Sequence, residues 1–205
     1  MRDTSLIVPQ RRIPLDGARN FRDVGGYLTQ SGEIVRWRHV FRSDSLDRLT
    51  ATDTAVLREQ LGITVVVDLR AAAADHRPRT WRRVRVPLPD LPTTREAGPR
   101  IVEILEIIAD ADGPVVFQCH NGRGRTGLVA AVLLGALGVV DDDIARDYAL
   151  ATGDAHPSET ARMRPETMRA VLGAVRRDHG SMVGYVLDAG GDITLVESLR
   201  DALLR

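Results

Sequence analysis

The chain of 205 residues contains no lysine, so each of its 28 fixed positive side chains is an arginine. Arginine's planar fork grips a carboxylate or phosphate bidentately, although GC-rich coding bias is the favoured reading of the composition. Acidic side chains also number 28, and the net charge is zero. No global field therefore draws the protein to nucleic acid or to an anionic membrane, and any preference for an anion must be local. The single cysteine, Cys119, excludes an internal disulfide and a cysteine-built zinc site; it fits a reducing compartment, with cytoplasm the expectation. His39, His76, His156 and His179 are scattered without ligand spacing, so no metal and no cofactor are expected. The opening "MRDTSLIVPQRR" lacks a leader-like apolar core, and the longest apolar run, Leu128 to Val140, is too short to cross a bilayer. A soluble protein without stable membrane insertion is expected. Repeats, low-complexity tracts and long linkers are missing too, and the length suits one domain, 1–205, with its own core.

What is present falls into three parts. Residues 1–49 are rich in turn signals around short strand-like pieces such as "EIVRW" and "HVFRS", which reads as a β-rich lead-in. Residues 50–140 alternate strands and helices. Thr50 and Asp53 form a capping box before "ATDTAVLREQLG", and "ITVVVDLR" is a β-branched run of the kind buried on both faces of a sheet. "RRVRVPLPDLP" is a second strand running into a proline-bounded loop. "RIVEILEIIADADG" puts Ile101, Ile104, Leu105 and Ile108 on one helical face. "PVVFQC" is the next buried strand, and "RTGLVAAVLLGALG" is a helix apolar nearly all round, hence central. The alternation predicts an α/β fold, a mainly parallel central sheet with helices on both faces. Residues 141–205 read as a helical layer, its last helix opened by Thr194 with Glu197 as capping-box partner. Asp141 to Asp143 are read as capping residues that favour their helix dipole, not as a calcium site.

The chemistry lies in "VVFQCHNGRGRTGL". Cys119 ends a strand, "HNGRG" makes a loop, and Arg125 with Thr126 opens a helix. A loop curled over a helix N-terminus aims several peptide N–H groups inward and adds the positive end of the dipole, which makes an anion site. A thiol placed there beside a cation is favoured as the thiolate, the nucleophilic form. A lone cysteine at a strand end is usually a small buried hydrophobe. The glycines, and the arginine at its spacing, weigh toward an anion-binding catalytic loop.

This stretch, C-x5-R-T, closely resembles the loop of the cysteine-dependent protein tyrosine and dual-specificity phosphatases. The resemblance implies attack by the Cys119 thiolate on phosphorus, a phosphocysteine intermediate, and hydrolysis by water without a metal. By position, Arg125 would clamp two phosphoryl oxygens and the amides of His120, Asn121, Gly122, Arg123, Gly124 and Arg125 would hold the rest. Thr126 takes the hydroxyl position that eases departure of the thiolate. "ARNFRDVGGY", "VFRSDSLDRLT", "LGITVVVDLR", "DYALA" and "PETMRAVLGAV…HGSMVGY" extend the resemblance, from about Leu15 to Arg205, to bacterial tyrosine phosphatases of the secreted mycobacterial type, some with lipid activity.

Two positions depart from that bacterial pattern. It usually has histidine before the cysteine, where this chain has Gln118. It usually has lysine and then aspartate before the loop arginine, the aspartate serving as general acid; here Arg123 and Gly124 stand there. The dual-specificity branch takes its acid from a loop upstream, and Asp90 in "VPLPDLPTT", 29 residues before Cys119, is assigned that role. Asp68 in "VVDLR" is the alternative, although it is read as the partner of Arg70 or Arg125. Arg22, Asp23, Arg42 and Asp44 are read as structural pairs, and Ser43 and Ser45 as caps or turns. A phosphorylated protein is the expected substrate, with a phosphoinositide the first alternative because His120 and Arg123 add cationic side chains to the loop. A phosphate-binding pseudoenzyme and a rhodanese-like sulfur carrier are the other readings. Oligomeric state is not legible.

Overall fold

The computed structural model describes residues 10–72, 81–89, 94–152 and 164–205. Five strands form one sheet: β1 (Arg22–Asp23), β2 (Val40–Ser43), β3 (Val65–Asp68), β4 (Arg82–Arg85) and β5 (Val115–Gln118). Their spatial order is β1-β2-β5-β3-β4. β1 and β2 are antiparallel and every other pair is parallel, as the alternation of strands and helices predicts. β2, β3 and β5 are buried along their whole length, whereas β4 is an exposed edge of arginines around Val84. Charged side chains on an edge strand discourage pairing with another chain.

Both faces of the sheet are covered. Along β3 and β5 the side chains alternate, so Val65, Val67, Val115 and Phe117 join one apolar cluster, and Val66 and Val116 join another with Phe21, Phe41, Leu46 and Leu57. The smaller cluster is closed by α1 (Ala51–Ala55) and the wider turn Val56–Gln60 that continues it. Thr50 and Asp53 form the predicted capping box, and Asp53 also accepts the N–H groups of Asp16 and Gly17, fastening the lead-in. The larger cluster is closed by α2 (Thr94–Ala109), α3 (Gly124–Ala136), α4 (Asp141–Ala149), α5 (Pro165–His179), α6 (Met182–Asp188) and α7 (Ile193–Leu203). α3 is buried on nearly every side, as its all-round apolar character requires.

Several local expectations need correction. α2 starts at Thr94, ahead of the predicted Arg100, with Pro99 inside it. Proline normally marks a boundary, but one lost hydrogen bond is outweighed by burial of Ala97, Ile101, Ile104 and Leu105. α7 is capped by Asp192, whose Oδ1 accepts from Leu195 N at 2.8 Å and from Thr194 Oγ1 at 2.6 Å. The Thr194 hydroxyl is thus spent on the cap and does not form it. Asp141 to Asp143 sit in the first turn of α4 without capping it by a side chain; Asp141 and Asp142 pair with Arg176 and Arg169 of α5, and Asp143 with Arg146. "EIVRW" forms isolated bridges and not a strand. Its Ile34 and Arg36 N–H groups bond to Arg205 and Leu203, tying the lead-in to the chain's end.

Candidate active site

Ser43, Gln118 and Asp68 lie level across the sheet, at the C-terminal ends of β2, β5 and β3. This is the edge where open α/β sheets bind ligands. Cys119 follows β5 directly and is 3% exposed. The backbone then makes one loop and enters α3 at Gly124, so the thiol sits beneath a helix N-terminus.

The loop is held through its carbonyl groups. Ser45 N donates to His120 O at 3.2 Å. Asn20 Nδ2 donates to Gly122 O at 2.8 Å and to Asn121 O at 3.4 Å. Arg42 Nη2 reaches Gly122 O at 3.3 Å and Arg123 O at 3.5 Å. In a trans peptide the N–H points opposite to the preceding C=O, and the described residues contain no cis bond. The amides of Asn121, Gly122, Arg123 and Gly124 therefore face away from these donors, as a nest for an anion requires. Gly122 makes this possible: its φ is +65°, and a Cβ there would lie 2.5 Å from Asp44 N.

Arg42 is wholly buried, and its charge is met by Asp147 of α4 at 2.6 Å. Asp147 also faces Arg22, Nε to Oδ1 3.9 Å, and accepts from Tyr27 Oη at 2.9 Å. Burial alone would raise the Asp147 carboxyl, but Arg42 and Arg22 outweigh it and hold the group below the ordinary carboxylate range. Gly127 lets α3 approach this cluster, since a Cβ there would meet the Tyr148 ring at 2.6 Å. Arg42 Nη2 also points to Thr126 Oγ1 at 3.4 Å, and that hydroxyl lies 3.9 Å from Cys119 Sγ. One buried cation thus touches both the loop's backbone and the hydroxyl beside the thiol.

Arg125 stands in the first turn of α3, half-buried, with Nη1 donating to Leu69 O at 3.4 Å. Asp68, level with Gln118, takes both forks of Arg70: Nε to Oδ1 at 2.9 Å and Nη2 to Oδ2 at 2.8 Å. Arg70 also binds Asp47 and Ser45. Its hydrogen bonds to the Asp68 and Asp47 carboxylates raise its pKa further above the ordinary arginine value. Gln118 is buried; its Oε1 accepts from Leu46 N at 2.6 Å, and its Nε2 has no hydrogen-bond partner among the described residues. Asp90 lies outside the described residues.

The structure therefore gathers Cys119, His120, Asn121, Gly122, Arg123, Gly124, Arg125 and Thr126 on one loop and helix start, with Asp68 and Gln118 on the strands beside it. Asp44 accepts the N–H groups of Arg19 and Asn20, and Asp23 those of Gly25 and Arg38, as structural residues do. The sequence does not single out Asn20 and Asp147, and it marks Arg42 only as half of a structural pair. Each lies tens of residues or more from the loop in sequence, and no local pattern marks that approach. Among the described residues, no group of three or more His, Cys, Asp or Glu side chains is arranged to hold a metal ion. No described helix is long and apolar enough to cross a membrane.

A sequence model of the tyrosine phosphatase family matches residues 13–205. The chain belongs to that family. Membership makes it a phosphoric monoester hydrolase of the protein tyrosine phosphatase class. The triple specificity protein phosphatase PtpB of Mycobacterium tuberculosis is 26% identical over 93% of this chain and 98% of its own length. Two solved structures share the fold with TM-scores of 0.52. TpbA of P. aeruginosa is 18% identical over 78% of this chain and 91% of its own. The catalytic core of the PP-IP phosphatase SIW14 of S. cerevisiae is 14% identical over 78% and 95%. The phosphatase loop accordingly sits on the sheet and helices of a cysteine phosphatase.

Proposed function

We propose that this phosphatase hydrolyses phosphotyrosine, and phosphoserine or phosphothreonine beside it, through a phosphocysteine on Cys119. The observation that carries the reading is the row of four loop amides turned toward one side by donors on their carbonyls, with Cys119 and Arg125 at the loop's two ends. The phosphate rests on those amides and on the Arg125 fork. The Cys119 thiolate attacks phosphorus, and the ester oxygen leaves with a proton from Asp90. Water then attacks the phosphocysteine, and the thiolate departs toward the Thr126 hydroxyl. Asp68 is a positioning residue in this scheme, because both its oxygens are occupied by Arg70. The whole chain acts as one catalytic domain in the cytoplasm. The similarity to PtpB, a triple specificity protein phosphatase, supports dual specificity here.

A side-by-side assay tests the reading. Wild type should hydrolyse a phosphotyrosine peptide fastest, a phosphothreonine peptide more slowly, and should do so in EDTA. Cys119→Ser should bind phosphate without turnover, and Arg125→Lys should lose both affinity and rate because an ammonium cannot form the bidentate fork. Phosphate binding by a wild-type protein that turns over no ester would replace the enzyme with a phosphate-binding module.

A further inference from the structure

The chain has two asparagines, Asn20 and Asn121, and they differ in what governs the chemical durability of a side-chain amide. Asn20 is followed by Phe21, and its side chain is spent: Nδ2 donates to Gly122 O at 2.8 Å and Oδ1 accepts from Arg22. Asn121 stands in the phosphatase loop, is exposed, and is followed by Gly122. Among the described residues its side-chain amide has no hydrogen-bond partner.

The peptide unit between Asn121 and Gly122 is set up for its nitrogen to attack that side chain. Its N–H turns into the nest and donates to no acceptor among the described residues. Its carbonyl, Asn121 O, accepts from Asn20 Nδ2 at 3.4 Å, and the unit lies just before the positive N-terminal end of α3. Both draw electron density from the amide and make its N–H more acidic. Gly122 brings no side chain to block the approach. Asp16–Gly17 is the contrasting case in the same chain: Gly17 N is held by Asp53 Oδ2 at 2.9 Å, so that nitrogen is occupied.

We propose that Asn121 is a self-modifying residue, through which the empty phosphatase loop slowly and irreversibly switches itself off. The Gly122 amide gives its proton to hydroxide, and its nitrogen attacks Cγ of Asn121. Nδ2 takes a proton from water and leaves as ammonia, closing a five-membered imide and returning the hydroxide. Water then opens the ring at either carbonyl. Breaking the new N–Cγ bond leaves an aspartate at 121, a negative charge on an anion-binding loop. Breaking the original C–N bond leaves an isoaspartate, which lengthens the backbone by one carbon, about 1.5 Å. That displaces Gly122, which is packed so closely that a Cβ on it would lie 2.5 Å from Asp44 N. A bound oxyanion that accepts the Gly122 N–H should protect the residue, and this part rests on the reading of the loop given above.

The test holds wild type at mildly alkaline pH with a reductant, which keeps Cys119 from oxidising, and follows it by peptide mapping, released ammonia and turnover of an aryl phosphate. The peptide that contains Asn121 should gain the mass of exchanging NH2 for OH, ammonia should appear in equal amount, and activity should fall in step. Asn20 should stay intact as the internal control. The rate should rise with pH, because the attacking nitrogen must first lose its proton, and orthovanadate should slow both the mass change and the loss of activity. An isoaspartyl methyltransferase should label the converted chain at 121. Fully converted protein should have lost about 10²-fold in kcat/KM, as a displacement of about 1 Å in a positioned group can cost, and Asn121→Asp, made directly, should bind phosphate more weakly than wild type. Survival of Asn121 for as long as Asn20, or full conversion with activity unchanged, overturns the proposal. Conversion that orthovanadate does not slow upholds the modification and removes Gly122 from the anion nest instead.

Discussion

Asp147→Asn removes the charge of the one carboxylate within salt-bridge distance, among the described residues, of the buried Arg42 and Arg22, at 2.6 and 3.9 Å. At an effective dielectric near 20, two unit charges at such distances attract by roughly 4–6 kcal/mol before desolvation is subtracted. Breaking a buried pair by removing one partner costs about 3–5 kcal/mol, because the other charge stays buried. Here two guanidiniums would be stranded, so the loss should fall at the upper end of that range. Arg42→Met is the informative contrast. It leaves Asp147 with Arg22, one cation for one anion, and should cost only about 2–3 kcal/mol for the lost charge-assisted hydrogen bonds. In the double variant the cost should fall short of the sum by at least about 1 kcal/mol. Urea midpoints at constant m measure all three. The pH dependence follows from the lowered Asp147 carboxyl. A depressed folded value contributes stability that is fully present above the unfolded pKa of about 4 and is lost as pH falls through the folded value. The gap between wild type and Asp147→Asn should therefore be constant from neutral pH down to about 5 and close below it. If Arg42→Met costs more than Asp147→Asn, or the two costs simply add, the shared-carboxylate argument is wrong.

Asp90→Asn should slow hydrolysis of an ester with a poor leaving group by ~10²–10⁴-fold and flatten the alkaline limb of the rate profile; an ester whose alcohol departs unprotonated should restore it. Asp68→Asn should loosen Arg70 and lower stability while keeping that limb, and loss of the limb there would exchange the two roles. An added Cβ at Gly124 meets nothing within 4 Å, so Gly124→Asp should return part of the rate lost in Asp90→Asn; no gain would show that a carboxylate at this point cannot reach the leaving oxygen. Gly122→Ala places a side chain at positive φ against Asp44 N and should weaken phosphate binding by ~10-fold or more, since such strain costs about 1–3 kcal/mol. Wild-type phosphate affinity in that variant would detach Gly122 from the nest.

The parts of the fold legible in sequence are those that repeat with a period. β3 and β5 announce themselves as β-branched runs, and α3 as an apolar stretch between two breakers, because burial on both faces leaves no polar position to confuse the pattern. The loop is legible too, since a cysteine, two glycines and an arginine at close spacing carry their geometry with them. What stayed hidden is long-range. Asn20 lies about one hundred residues from the carbonyls it holds, and Asp147 meets Arg42 across 105; such partners are set by the packing of β1, β2 and α4 around α3, not by local composition. The caps misled for a related reason. Thr194 and Glu197 match a capping box, but Asp192 two residues earlier is free to take Leu195 N and wins the position.

The most direct measurement is a rapid denaturing quench of wild type during turnover of an aryl phosphate, followed by peptide mapping. The account predicts one phosphoryl group on the peptide that contains Cys119, formed no more slowly than the steady-state rate and missing from Cys119→Ser. A phosphoryl group on any other residue, or turnover by Cys119→Ser, would contradict it.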